Sequence, residues 1–141
     1  MAGKLIIFSA PSGAGKSTMS KIWSDAGRTI INDDRLIIRK TGDVFKVYNT
    51  PMYYVDFSKS VHLDSVFLIR HCKENQISRL SGAVAISRML AFVIQNNFDP
   101  EIISHNLNIV QQIAETAGIY DLGVVPDKNI IPFVLNHVGN E

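Results

Sequence analysis

The chain has 141 residues, a formal charge of +1 from 14 basic and 13 acidic side chains, and a single cysteine, Cys72. That length fits one domain with its own core over residues 1–141, and the balanced charge supplies no field that would gather nucleic acid or an anionic membrane. One thiol excludes an internal disulfide, no apolar run is long enough to span a bilayer, and the apolar N-terminal run leads into a glycine-rich turn instead of a cleavage site. A cytoplasmic protein is expected.

In chain order, Lys4-Leu5-Ile6-Ile7-Phe8 reads as a strand buried on both faces. It runs into Ala10-Pro11-Ser12-Gly13-Ala14-Gly15-Lys16-Ser17-Thr18, which has the composition of a phosphate-binding loop. Such a loop needs glycines that let the main chain approach a ligand closely, here Gly13 and Gly15, and a following helix whose first N–H groups face phosphate oxygens. Ser12, Gly13, Ala14, Gly15, Lys16, Ser17 and Thr18 are the expected nucleotide-binding residues. In the full pattern a glycine stands where this chain has Ala10, a position that working loops fill with other small residues.

The helix is predicted over Lys16 to Ala26, stopped by Gly27, and Arg28-Thr29-Ile30-Ile31-Asn32 reads as a second strand ending at the paired carboxylates Asp33 and Asp34. Leu36–Arg39 and Val44–Tyr48 are β-rich runs joined by Lys40-Thr41-Gly42-Asp43, a hairpin signal that makes the sheet mixed. Asn49 to Lys59, with Pro51 and several aromatics, reads as a loop; Ser65 to Arg70 reads as a buried strand; a helix is predicted from Ser81 to about Gln95. Asp99-Pro100 is a helix start, followed by Ile102, Ile103, Leu107, Val110, Ile113, Ala114 and Ala117 at helical spacing up to Gly118. Ile119 to Val125 reads as a last strand, Pro126-Asp127 as a turn and Asn129 to His137 as a terminal helix. The fold class expected is α/β, a mixed sheet with an antiparallel hairpin, flanked by helices.

A phosphate loop that supports transfer also needs an acid at a neighbouring strand end, to hold Mg²⁺ or to orient the attacking group. Asp33 and Asp34 occupy that place in the sequence, and two adjacent carboxylates repel each other unless a cation lies between them. Arg35, Arg39, Arg70, Arg79 and Arg88 are candidates for a guanidinium on the phosphoryl group, Arg79 first among them, with the rest read as solvated charges. His62, His71, His105 and His137 lack zinc-type spacing and read as surface or core-edge residues, and Tyr48, Tyr53, Tyr54 and Phe57 as shielding aromatics.

Taken together, Ser12–Thr18, Asn32-Asp33-Asp34-Arg35, the hairpin, Asn49-Thr50-Pro51 and Arg79-Leu80-Ser81 resemble the HPr kinase/phosphorylase family, and more closely its small relatives built on the phosphoenolpyruvate-carboxykinase type of P-loop domain. The resemblance covers Lys4 to about Leu135, and its specific parts are the loop and the aspartate pair. It implies an ATP- and Mg²⁺-dependent kinase acting on a hydroxyl of a peptide, protein or small molecule, with self-association. Under it Lys16 neutralises the β- and γ-phosphates, Ser17 ligates Mg²⁺, Asp33 lies nearer the metal and Asp34 takes the acceptor proton, and these two aspartate roles are exchangeable. Asn49 and Met52 stand where the family commonly has glycine and tryptophan, and the N-terminal domain, the histidine ahead of the loop and the substrate loop of HPr kinase have no counterpart here. A second resemblance, of Gly3 to Thr18 to the start of guanylate kinases, stops at the loop. A nucleotide-binding regulatory module without efficient transfer is the alternative from a different class.

Overall fold

The computed structural model describes residues 5–10, 15–30, 35–50, 61–93 and 98–139. Ser12, Gly13, Ala14, Asp33 and Asp34, with Pro51 to Lys59, lie outside the described residues.

The apolar run Val66–Ile69 lies in the central strand. β4 (Val61–His71) carries Val66, Phe67 and Leu68 at 0–1% exposure. On one edge it pairs in parallel with β1 (Leu5–Ser9), and on the other in parallel with β6 (Ile119–Val124). Both partners send apolar side chains to both helix layers, which is why they read as apolar runs instead of alternating ones. The hairpin of β2 (Leu36–Thr41) and β3 (Val44–Asn49) is antiparallel and joins the sheet where Lys46 and Val47 meet His62 and Val61. β5 (Gln76–Leu80) closes the far edge antiparallel to β6, giving the order β2-β3-β4-β6-β5 with β1 also on β4.

The register between β1 and β4 shifts after the Leu5–Leu63 pair, because Ile6 is opposite Ser65. One extra residue on β4 at this point, Asp64, is a bulge, and it places Leu63 and Val66 on the same side although they are three residues apart. Beyond it the alternation is regular. Phe67 and Ile69 face the layer of α1 (Lys16–Asp25) and α4 (Ile130–Gly139), together with Met19, Trp23, Ile130 and Val134. Val66 and Leu68 face the layer of α2 (Gly82–Leu90) and α3 (Pro100–Thr116), together with Ala85, Met89, Val110 and Ile113. The result is a mixed α/β sheet with helices on both faces. Among the described residues no helix is long and apolar enough to cross a membrane.

Local chemistry sets the helix ends. Asp99 Oδ1 accepts from the Glu101 N–H at 2.9 Å and Pro100 occupies the first turn of α3, as a cap followed by proline should. Gly118, at φ +87°, lets the chain reverse straight into β6.

Five expectations need correction. Arg28, Thr29 and Ile30 form no strand; all three are exposed, and it is β4, with far more apolar surface to bury, that lies beside β1. α2 ends at Leu90 instead of near Gln95, leaving through tight bonds from Phe92 N–H to Met89 O (3.0 Å) and Val93 N–H to Leu90 O (3.2 Å). Ser81 does stand at its N-cap position, but its side chain makes no capping bond. The strand Gln76–Leu80 was absent from the sequence pattern, and on α3 Ile102 and Leu107 are 41% and 40% exposed. Leu107 falls at the margin of the buried stripe centred on Val110 and Ile113, and Ile102 in the first turn.

Candidate functional site

Among the described residues, β1, β4 and β6 run in the same direction, so their carboxyl ends share one edge of the sheet. Loops at that edge are where α/β sheets receive ligands. The chain leaving β1 passes Ala10, buried at 2% exposure, and re-enters the described region at Gly15. Gly15 has φ +107°, a conformation that side chains with a Cβ rarely adopt, and it serves as the N-cap residue of α1. From Lys16 the backbone is helical, the first bond running from the Met19 N–H to the Gly15 carbonyl at 2.9 Å.

Lys16 does not extend into solvent. Its Nζ donates to the Ala10 carbonyl at 2.8 Å and so bridges the two ends of the glycine-rich segment. The ammonium is thereby held at the N-terminus of a ten-residue helix that has no acidic residue in its first turn. Free N–H groups, the positive end of the helix dipole and a cation converge there, which is the electrostatic requirement for binding an anion. Ser17 and Thr18 are both exposed.

β4 outruns β1. Its last partner on β1 is Ser9, opposite Leu68, so Ile69, Arg70 and His71 extend past the end of that strand. A shallow depression beside the helix start is lined by Gly15, Thr18, Met19, Ile69, Arg70, His71, Val124 and Pro126. Among the described residues no carboxylate lines it.

The two side chains at the end of β4 go opposite ways. Arg70 Nε donates to Asp121 Oδ2 at 2.9 Å, and Arg88 of α2 reaches the other oxygen, Nη2 to Oδ1 at 2.7 Å. Asp121 sits on β6 at 7% exposure. Burial alone pushes its carboxyl up; the hydrogen bonds and charges of Arg88 and Arg70 outweigh that and hold it below the ordinary carboxylate value. In return the Asp121 bond keeps Arg70 firmly protonated. Beside them, hydrogen bonding from the Glu74 backbone, against an opposing burial effect and with help from Arg70, lowers the Cys72 thiol below its ordinary value. Sequence reasoning took Arg70 and Arg88 for solvated charges and passed over Asp121. The overlooked signal was one acid inside the otherwise apolar Ile119–Val124 run, where a carboxylate needs partners.

The other arginines stay outside this arrangement. Arg79, the one singled out from sequence, lies over the Tyr120 ring at 5.8 Å, and Arg39 over Tyr48 at 5.7 Å. The Thr50 hydroxyl donates to the Arg35 carbonyl at 3.0 Å, closing the base of the hairpin. His137 packs edge-on against Tyr120 and Phe67 in the core. Of the predicted nucleotide-binding set the structure brings together Gly15, Lys16, Ser17 and Thr18; Ser12, Gly13 and Ala14 are outside the described residues, as are both aspartates assigned to the metal and the proton. Among the described residues no group of three or more histidine, cysteine or acidic side chains is placed to hold a metal ion.

The fold and the edge site thus define a mixed α/β protein with a strand, glycine turn and lysine-led helix at the carboxyl ends of parallel strands. No known protein family, no curated protein and no solved structure matches the chain.

Proposed function

We propose that this protein binds the phosphate tail of ATP at the start of α1 and, with Mg²⁺, transfers the γ-phosphoryl group to a hydroxyl of a peptide, protein or small molecule. The observation that carries the reading is the Lys16–Ala10 bond, which fixes a cation at the N-terminus of α1. Lys16 and the first N–H groups of the helix bind and orient the β- and γ-phosphates, and the Ser17 hydroxyl holds Mg²⁺, which supplies charge neutralisation. Asp33 and Asp34 keep their sequence-derived roles: Asp33 beside the metal, Asp34 taking the acceptor's hydroxyl proton as the new O–P bond forms and the bond to ADP breaks. The likeness to small HPr-kinase-type P-loop proteins supports the same assignment.

Thermal-shift titration with ATP, with and without Mg²⁺, followed by ADP release in the presence of candidate acceptors, tests the reading. Stabilisation by ATP that disappears in Lys16→Ala, and Mg²⁺-dependent ADP release that disappears in Asp34→Asn, are expected. ATP binding without turnover would instead support a regulatory nucleotide-binding module. Stimulation of ADP release by GMP would point to a nucleotide kinase.

A further inference from the structure

The nucleotide reading leaves unused His71, whose ring β4 carries to the helix start. Because β4 continues three residues past its last pairing with β1, it rises about 10 Å further, to the level of Gly15. Strand alternation then separates its final side chains. Arg70 is drawn to the α2 side, held by Asp121 and, at 3.4 Å, by Gln76. Cys72 is on that side as well, against Gly123. His71 faces the α1 side, and its Cε1 and Nε2 come within 3.6 and 3.7 Å of where a Cβ on Gly15 would be. Its side chain is exposed, and its ring lies in the same depression as Gly15 and Thr18.

We infer that His71 is a phosphate ligand, donating a ring N–H to the tail of a bound nucleoside di- or triphosphate from the strand next to β1. The inference rests on the nucleotide-binding reading and deepens it. Gly15 immediately precedes the amides that an anion at this helix start would engage, so a ring against Gly15 stands at the edge of the same anion. Imidazole carries an N–H donor in every protonation state, and phosphate oxygens are strong acceptors. The ring is set by the end of a central strand instead of a free loop, so little ordering is required on binding. Contact is made to phosphate and not to the base, so it discriminates nucleotides from nucleosides and is indifferent to adenine or guanine.

The test is isothermal titration calorimetry of the full chain with Mg²⁺–ATP, Mg²⁺–GTP and ADP, on wild type, His71→Gln, which keeps an N–H donor, and His71→Phe, which keeps only the ring. Loss of one hydrogen bond to a charged group predicts about a tenfold rise in Kd for His71→Phe, equal for ATP and GTP. His71→Gln should stay within about threefold of wild type, as should His105→Phe on the outer face of α3. If His71→Phe melts early, the ring ¹⁵N resonances of unaltered His71 decide, shifting with ADP and not with adenosine. Wild-type affinity in His71→Phe alongside lost binding in Lys16→Ala, or ring resonances unmoved by ADP, overturns the role of His71 alone. Equal weakening in the Gln and Phe variants would make the ring a packing element and also overturn it. No heat from wild type with any nucleotide would overturn the phosphate-loop reading beneath it.

Discussion

Asp121→Asn is the substitution whose cost the structure defines best. The carboxylate is 7% exposed and holds Arg70 at 2.9 Å and Arg88 at 2.7 Å, joining the centre of the sheet to α2. Removing one partner from a fully buried ion pair costs about 3–5 kcal/mol, because the charge left behind is unsolvated. Here the guanidinium side chains are 45% and 40% exposed, so water can solvate them once the carboxylate is gone, and the asparagine oxygen still accepts one bond. About 2 kcal/mol is therefore expected at neutral pH. For a chain of this length that is roughly 8 °C in Tm, measured by calorimetry or circular dichroism. The pH dependence supplies a second readout. Because the folded carboxyl titrates below its unfolded value, its contribution is present above about pH 4 and is lost as pH falls through the lower, folded value. Wild type and variant should thus converge in acid, and a double-mutant cycle with Arg88→Met should show coupling of about 1 kcal/mol or more. A Tm unchanged at pH 7, or a gap that persists undiminished at pH 2, would refute the reasoning.

Two glycines of positive φ separate backbone strain from collision. Gly118→Ala places a methyl 2.9 Å from the buried Tyr120 ring at φ +87° and should cost about 2–3 kcal/mol, whereas Gly27→Ala, at φ +76° in open space, should cost about 1 kcal/mol, both read from urea midpoints. Asp99→Ala removes the cap of α3 and should cost about 1 kcal/mol in the same assay. Phe67→Ala, at the centre of the stacked Phe8, Phe67 and Tyr120 rings, should cost about 3–5 kcal/mol, and a loss under 1 kcal/mol would mean the cavity collapses freely.

Most elements were legible where one interaction dominates. The hairpin follows from Gly42-Asp43 between β-rich runs, and α3 from its Asp-Pro start and apolar spacing. β4 and β6 follow from the apolar runs at their centres, Val66–Ile69 and the largely apolar Ile119–Val124. Illegible were the features that depend on distant partners. β5 is short and mostly exposed, and Ile77 and Leu80 acquire meaning only beside β6. The segment Arg28–Ile30 carries strand-forming residues but buries none of them. At the candidate site, Gly15 to Thr18 could be read as a unit because the chemistry is local. His71 and Asp121 could not, since 56 residues separate Gly15 from His71 and 51 separate Arg70 from Asp121.

The position of β4 also governs when the protein can become itself. Its two parallel neighbours are made at different times: β1 precedes it, while β6 is not complete until residue 124. During synthesis the segment Ser65–Ile69 therefore waits with one flank bare, a sticky ribbon that any similar ribbon could join. A nascent chain stopped before residue 119 should clump or recruit a chaperone, and slow translation across α3 would prolong that hazard.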